Sequence, residues 1–577
     1  MQSVQSALQE IFSKLYNLHP TFEITAAPKP EFGEFCINVF PFAKVLSKAP
    51  NEISEEVARE LENFSESIKK ATATGGYVNF FLTDAYWQEI FSNIVSAEKP
   101  ASKNETVIVD YIGMNVGKPP HIGHICTPLL GQAIINTLRY AGYTVIGDSH
   151  LGDWGSLFGK LIVGFQKYGN AQKLQDDAIS HLLEVYVTIN ADIETDESVE
   201  QACRDAFKKL SEGDAEYVKI WADFTTATIS TNKKILKLMH IHQDFDIGES
   251  FYEGLNLPKI GTHPDLQYDM NSIVEELLEK KIATQNDDGS VGVIFPEETK
   301  MPSTILRKKD GTNLYLTSDL ATIKYRMTNG WNPTKILYFV DVRQSLHLKQ
   351  VFWVAKHAWN IDHVELFHAA NGAIVLPEGA MSTRKGNIIR LDALVEEGFS
   401  RVKKVLEEKG RTGENSLSDK DITEITIGAI KYSYLSQDRE RDVVFTWDKA
   451  LNFEGNSGPY IQYAYVRAKK IGQNVDLPTF EKNPNLELSA NDKLLIAKIR
   501  EFPKKVNETL AKYKPHILAN YAYDVAVAFN SFYVHTPKIL EEKNENLKFF
   551  RLHLVAKTAE ILKKTFELLG IEMPNEM

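Results

Sequence analysis

Thr106-Val-Ile-Val-Asp-Tyr-Ile112 opens the stretch that decides the fold. All but Asp110 are β-branched or aromatic, and a short unbroken run of this kind predicts a strand buried on both faces, as in a parallel sheet. Pro119-Pro120 follow, and then Ile122, Ile125, Leu129, Ala133, Ile134 and Leu138 recur at helical spacing. Gly142 ends that pattern, and Tyr143–Ile146 reads as a second strand. Strand, loop, helix and strand within about 40 residues make a βαβ unit, and sheets of this class bind ligands at the carboxyl ends of their strands.

The junction between the first strand and its helix carries His121-Ile122-Gly123-His124. Two histidines three apart at a helix N-terminus face one way, toward the groove above the strand ends. Free amide groups and the helix dipole there favour phosphate, and the glycine lets a flat ring approach the backbone. A surface or metal-binding histidine pair would show the same spacing, so the placement after a buried strand carries the argument. Met381-Ser-Thr-Arg-Lys-Gly-Asn387 lies 260 positions after His121. Its Ser382, Arg384 and Lys385 suit a cationic loop that closes on a leaving pyrophosphate; a solvated basic loop is the alternative.

Working outward, residues 1–100 read as an α+β domain. Helical spacing runs to about Leu15, strand-like pieces sit at Phe35–Phe40 and Tyr77–Leu82, and a helix carries Ile53, Val57 and Leu61. The polar stretch Ser96–Glu105 reads as a linker. From about Leu161 to Glu253 the chain is helical and charged, and an insertion is expected over about 161–290 within a catalytic unit spanning 106–390. Strands are expected again near Val291–Phe295, Ile336–Val340 and Val364–Leu366. A helical connector, 391–455, precedes a helical unit, 456–577. Its Tyr460, Tyr463, Tyr465, Tyr521, Tyr523 and Phe529 could stack on bases, but helical spacing assigns most of them to the core.

The 577 residues allow about three to five domains. Hydrophobic residues at 43% and charged residues at 25% are ordinary for a soluble globular chain. No run approaches the ~20 apolar residues of a membrane span, and the opening helix has the character of neither a signal nor a transit peptide. Cys36, Cys126 and Cys203 are too scattered for a zinc site or a disulfide framework, so free thiols in a reducing cytosol are expected. The net charge of −12 argues against indiscriminate nucleic-acid binding. The segment from Asn456 to Met577 nevertheless holds 18 Lys+Arg against 14 Asp+Glu, leaving it basic enough to meet RNA phosphates.

Together the two motifs resemble HIGH and KMSKS of the class I aminoacyl-tRNA synthetases. Several longer runs resemble the arginyl enzymes in particular: Asp110-Tyr-Ile-Gly-Met-Asn115-Val-Gly-Lys118-Pro-Pro-His121, His150-Leu-Gly-Asp153-Trp154-Gly-Ser-Leu-Phe158-Gly, Tyr315-Leu-Thr-Ser-Asp319, Val342-Arg-Gln344, and Asn456-Ser-Gly-Pro-Tyr-Ile-Gln462-Tyr463-Ala-Tyr-Val-Arg467. The resemblance implies an α/β fold: a Rossmann-type catalytic domain with its helical insertion, an N-terminal tRNA-binding α+β domain and a C-terminal α-helical anticodon-binding domain. It implies a monomeric, cytoplasmic enzyme that binds no membrane. Its substrates are L-arginine, the tRNA for arginine and ATP, with Mg2+ accompanying the ATP and no prosthetic group. Activation is expected to require bound tRNA.

By motif position the resemblance implies Asp110, Asn115, Tyr315, Asp319 and Gln344 as arginine ligands. His121, Gly123, His124, Met381, Ser382 and Lys385 are implied for ATP, with Lys118 and Arg384 among the catalytic cations. Asp319, and Asp110 if it is not a structural hydrogen-bond acceptor at its strand end, suit the guanidinium. Asn115 and Gln344 suit the α-amino and carboxylate ends, and Tyr315 can stack on the side chain. His150 and Asp153 are expected along the cleft, with Trp154 and Phe158 in packing roles. The chain departs from the family pattern at Ala380, where KMSKS begins with lysine; Lys118 is implied as the substitute. It departs again at Ile125-Cys126-Thr-Pro128, where Pro128 is expected to kink the helix or mark its second turn.

Overall fold

The computed structural model describes residues 2–29, 31–64, 66–117, 122–255, 257–375, 390–411, 413–473, 475–483 and 485–577. The chain divides into two compact units, each assembled from three stretches.

One unit comprises Met1–Glu98, Arg467–Pro503 and Asp524–Ile561. The first stretch folds as an antiparallel sheet in the order Thr25–Ala26, Phe35–Asn38, Tyr77–Leu82, Ile68–Thr74. Helices Gln2–Tyr16 and Pro50–Phe64 bury Val4, Leu8, Ile11, Ile53, Val57 and Leu61, the apolar positions of the sequence pattern. The helix Asp84–Val95 turns Phe91 toward Phe480 and Phe550, with ring centroids 5.1 and 5.4 Å away. Lys493 joins Glu34 and Asp84 at 3.3 and 2.8 Å.

The other unit comprises Lys99–Val466, Lys504–Tyr523 and Leu562–Met577. At its centre is a five-stranded sheet ordered Glu365–His368, Lys335–Tyr338, Thr106–Asp110, Thr144–Leu151, Phe245–Gly248, parallel throughout. The strand Thr106–Asp110 is central, and Val107, Ile108 and Val109 have no exposed surface. From it the chain winds first to one side and then, through Lys335–Tyr338, to the other. The switch point therefore lies between these two strands, where Asp110 and Tyr338 are register partners.

One strand was not expected, and one expected strand lies in a sheet of its own. Phe245–Gly248 lies inside the range read as helical. Val291–Val293 belongs to a separate antiparallel sheet between Thr304–Arg307 and Thr284–Gln285. Helices Ser156–Tyr168, Ala178–Thr195, Glu197–Ser211 and Ala215–Leu238 follow the second strand of the parallel sheet. They share a core that includes Phe158, Leu161, Leu182, Ile189, Trp221 and Phe224. Beyond Leu391 the described chain is helical and irregular apart from Val443–Val444, which pairs with Ile374–Val375.

Candidate functional site

Right-handed crossovers run helices antiparallel to the strands they serve, so the N-termini of those helices gather at the carboxyl edge of the sheet. The loops after the first two strands are zipped together there: Val116 N donates to Gly152 O at 3.0 Å and Gly152 N to Met114 O at 3.3 Å. This holds Asn115 at the exposed rim. A side chain on Gly152 would run into the Asn115 amide, so glycine is needed for the close approach.

Ile122–His124 forms a 3-10 turn ahead of the helix Cys126–Tyr140, with Gly123 and His124 half-buried in it. Pro128 stands in the first turn of that helix, not the second, where its missing N–H leaves no bond unmade. Cys126 is buried and its thiol is pushed up to about 12 by burial, so it is inert. Lys118 and His121, and Met381, Ser382, Arg384 and Lys385 with Ala380, lie outside the described residues.

The helix Tyr315–Thr328 begins at the same edge. Tyr315 is its first residue and is mostly exposed, with its hydroxyl over Gly155. Its pKa is raised, first by burial of the hydroxyl and then by the charge of Glu249. One turn on, the Asp319 carboxylate meets His347 Nε2 at 2.5 Å. Gln344 is exposed at the end of the turn Val342–Gln344, three residues before His347. Asp319, Tyr315 and His150 share one neighbourhood, because Asp319 bears on the titration of His150 and both Asp319 and Tyr315 interact electrically with Glu249.

Glu249 is the residue that sequence reasoning missed. It follows the strand Phe245–Gly248 directly, and its side chain is 20% exposed. Its pKa is raised to about 8, first by burial and then by the charges of Asp153, Asp319 and Glu253. His150 Nε2 stands 4.0 Å away, but burial depresses the pKa of that imidazole and keeps it neutral. Among the described residues this neighbourhood thus gathers carboxylates with only a neutral imidazole beside Glu249, which suits a cationic ligand. An acidic residue just past a strand of the sheet is the signal that could have found it, had the strand been recognised.

Two expected cleft residues turn out to be held from within. Asp153 has no exposed surface. Its carboxylate accepts from Ser250 N at 2.9 Å and from Ser250 Oγ at 2.5 Å, which fixes the segment that presents Glu249. Burial raises its pKa to about 6. Phe158 is core, as expected, and Trp154 packs edge-on to Phe207 and Trp221. Asp110 is buried and its Oδ2 accepts from Arg326 Nη2 at 2.7 Å. Arg326, seven residues after Asp319 on the same helix, also donates to Asp148 Oδ2 from Nε at 2.9 Å and from Nη2 at 2.7 Å. Burial pushes Asp148 up to about 7 against the pull of this cation.

The chain matches the family described as tRNA synthetases class I (R), catalytic domain, over residues 87–447. It matches the DALR anticodon binding domain over 461–577 and the Arginyl tRNA synthetase N terminal domain over 1–82. It is 35% identical to the arginine–tRNA ligase of Fusobacterium nucleatum across the whole of both chains. To that of Clostridium perfringens it is 34% identical, over 98% of this chain and 97% of the relative. The fold is similar to two solved arginyl-tRNA synthetases. The Thermus thermophilus structure has a TM-score of 0.79 at 22% identity, with both chains fully covered. The Plasmodium falciparum structure has a TM-score of 0.77 at 22% identity, covering 100% of this chain and 99% of that one. The chain belongs to the arginyl-tRNA synthetases, aminoacyl-tRNA ligases of class I.

Proposed function

We propose that this cleft carries out the family's reaction with its own residues in defined places. Arginine and ATP give arginyl-adenylate and pyrophosphate, and the arginyl group then passes to the 3′-terminal adenosine of the tRNA for arginine. Glu249 and Asp319 take the guanidinium, with Tyr315 lying against the side chain. Asn115 and Gln344, both at the rim, hold the α-amino and carboxylate ends. The observation that carries this reading is the crowding of Glu249 by other carboxylates at the carboxyl edge of the sheet, which holds its proton on until a cation such as a bound guanidinium takes its place. Lysine would lose the planar fork and citrulline the charge. Either would leave a carboxylate poorly paired, which is strong grounds for rejection.

The substrate carboxylate is itself the nucleophile at the α-phosphorus, so the protein's task is to position groups and to stabilise charge. His121, Gly123 and His124 are assigned to the triphosphate. Lys118, Met381, Ser382, Arg384 and Lys385 are assigned to the departing pyrophosphate. Mg2+ comes with the triphosphate, whose oxygens and waters suit its octahedral demand; among the described residues no three His, Cys, Asp or Glu side chains converge as a cage. The unit matched by the anticodon-binding family meets the tRNA. The chain is read as a cytoplasmic monomer, which sedimentation and localisation of a tagged copy test directly.

ATP–pyrophosphate exchange with each of the 20 amino acids, with and without total tRNA, tests the reading. Exchange with arginine alone, appearing only when tRNA is added, is the expected result. Exchange with a different amino acid would overturn the pocket assignment.

A further inference from the structure

We propose that Arg326 is an internal guanidinium that sets the depth of the arginine pocket. By pairing with Asp110 and Asp148 it leaves Glu249 and Asp319 as the carboxylates that meet the substrate. This rests on the reading of the cleft as an arginine site.

The helix Tyr315–Thr328 carries Tyr315, Asp319 and Arg326 at spacings of four and seven, on one face. Along that face the side chains pass from mostly exposed, through half-buried, to fully buried. Asp110 and Asp148 are register partners on adjacent parallel strands, so their carboxylates stand side by side. Arg326 closes over both, with Oδ2 of each as its acceptor, and its guanidinium lies 5.4 Å from the centre of the Tyr338 ring. The inner layer is thus a guanidinium site, two carboxylates and an aromatic ring, occupied by the protein's own side chain through Nε and Nη2, with Nη1 left without a hydrogen-bond partner. The outer layer repeats its chemistry with Glu249, Asp319 and Tyr315. The two layers adjoin, since His150 and Tyr338 each interact electrically with Asp110, Asp319 and Arg326.

A protein that selects arginine with two such layers must keep the substrate out of the inner one. The Cα atoms of Asp319 and Arg326 lie about 10 Å apart along the helix, and the long side chain of Arg326 reaches back toward the helix N-terminus. A substrate drawn to the inner carboxylates would therefore carry its α-carboxylate several ångströms away from the α-phosphorus. A displacement of about 1 Å is already enough to cost roughly 100-fold in rate. Arg326 prevents this by filling the inner layer, and acts as a positioning residue without touching the reacting atoms.

The test is Arg326→Ala, assayed by arginine-dependent ATP–pyrophosphate exchange with saturating tRNA. Assays are run with and without guanidinium chloride well below denaturing concentration, with equal urea and sodium chloride as controls. Exchange kcat is expected to fall about 100-fold while the arginine KM does not rise, because arginine still binds, but too deep. Guanidinium ion, and neither control, is expected to restore kcat by about tenfold or more by refilling the hole; in the unsubstituted enzyme it only competes with arginine. Arg326→Lys, which keeps the charge and loses the fork, should stay impaired and unrescued. Wild-type kcat in either variant, a raised arginine KM at unchanged kcat, or failure of guanidinium to rescue a folded Arg326→Ala would each overturn the proposal. If Arg326→Ala does not fold, the lysine variant decides. Absence of arginine exchange in the unsubstituted enzyme would instead remove the reading of the cleft.

Discussion

Arginine should bind more tightly as pH rises, over a window that Glu249 defines. A guanidinium stays protonated throughout any practical assay range and pairs with a carboxylate, not with an acid. With the Glu249 carboxyl at about 8 before arginine enters, the apparent Kd is the intrinsic one weakened about twofold at pH 8, about 10-fold at pH 7 and about 100-fold at pH 6. Binding at pH 7 then expels about 0.9 of a proton. Titration calorimetry in two buffers of different ionisation enthalpy, with tRNA present, reads both quantities. Glu249→Gln should bind far more weakly, and its affinity should lose the slope. The stability effect runs the opposite way. Because the folded pKa lies above the ordinary 4.5, the folded chain holds a proton that the unfolded chain gives up, so stability falls as pH rises from about 4.5 to 8, by at most about 5 kcal/mol. Glu249→Gln removes that loss and should melt higher at pH 8.5 than the unsubstituted enzyme, even as it fails to bind. An arginine affinity that is flat from pH 6 to 9, or a slope that survives in Glu249→Gln, would refute the assignment of Glu249 as counter-ion.

Asp319→Asn should raise the arginine KM about 100-fold with little change in the ATP KM; a normal arginine KM in exchange kinetics would leave guanidinium recognition to Glu249 alone. Lys431 is fully buried, donates to Met239 O at 2.7 Å and to Gly570 O, and is pushed down to about 7 by burial. The unfolded chain therefore holds the extra proton between about pH 7 and 10.5, and stability should rise with pH through that window. Lys431→Met should lose this rise, and parallel denaturation midpoints for both proteins from pH 6.5 to 9.5 would count against it. Gly159→Ala should destabilise by about 1–3 kcal/mol in spite of alanine's better helix propensity, because its methyl group would meet the backbone carbonyl of Cys203 and Phe207 Cβ. An unchanged Tm would mean that the helices Ser156–Tyr168 and Glu197–Ser211 can part at no cost.

What could be read in advance followed from how local each signal is. Thr106–Asp110 declares itself because a strand buried on both faces has no room for polar residues, and Asp110 stands out as the exception that ends it. Phe245–Gly248 hides because it is short, lies at the edge of the sheet and carries only two large apolar residues; Glu249 was lost with it. Val291–Val293 was legible as a strand, but its sheet was not, since pairing depends on partners elsewhere in the chain. Arg326 reads locally as an ordinary helix arginine. Only the fold brings Asp110 and Asp148, 216 and 178 positions away, against it. Asp153 reads as a cleft residue because it sits in a characteristic run, yet its carboxylate is spent on Ser250. The two signature motifs were readable as chemistry from residue type and from their position relative to one strand.

The division of the chain into units of three stretches each bears on how it is born. Residues 1–98 share a compact unit with 467–503 and 524–561. About 460 residues of synthesis separate the end of the first stretch from the end of the last, roughly 25–90 s at a ribosome's usual pace. Through that interval Phe91 lacks Phe480 and Phe550, and Glu34 and Asp84 lack Lys493. The nascent N-terminal sheet and helices therefore wait with an apolar face uncovered, in a crowded cell. That is the condition in which holding chaperones act, and in which a slow codon before residue 98 does less harm than one placed between residues 99 and 561.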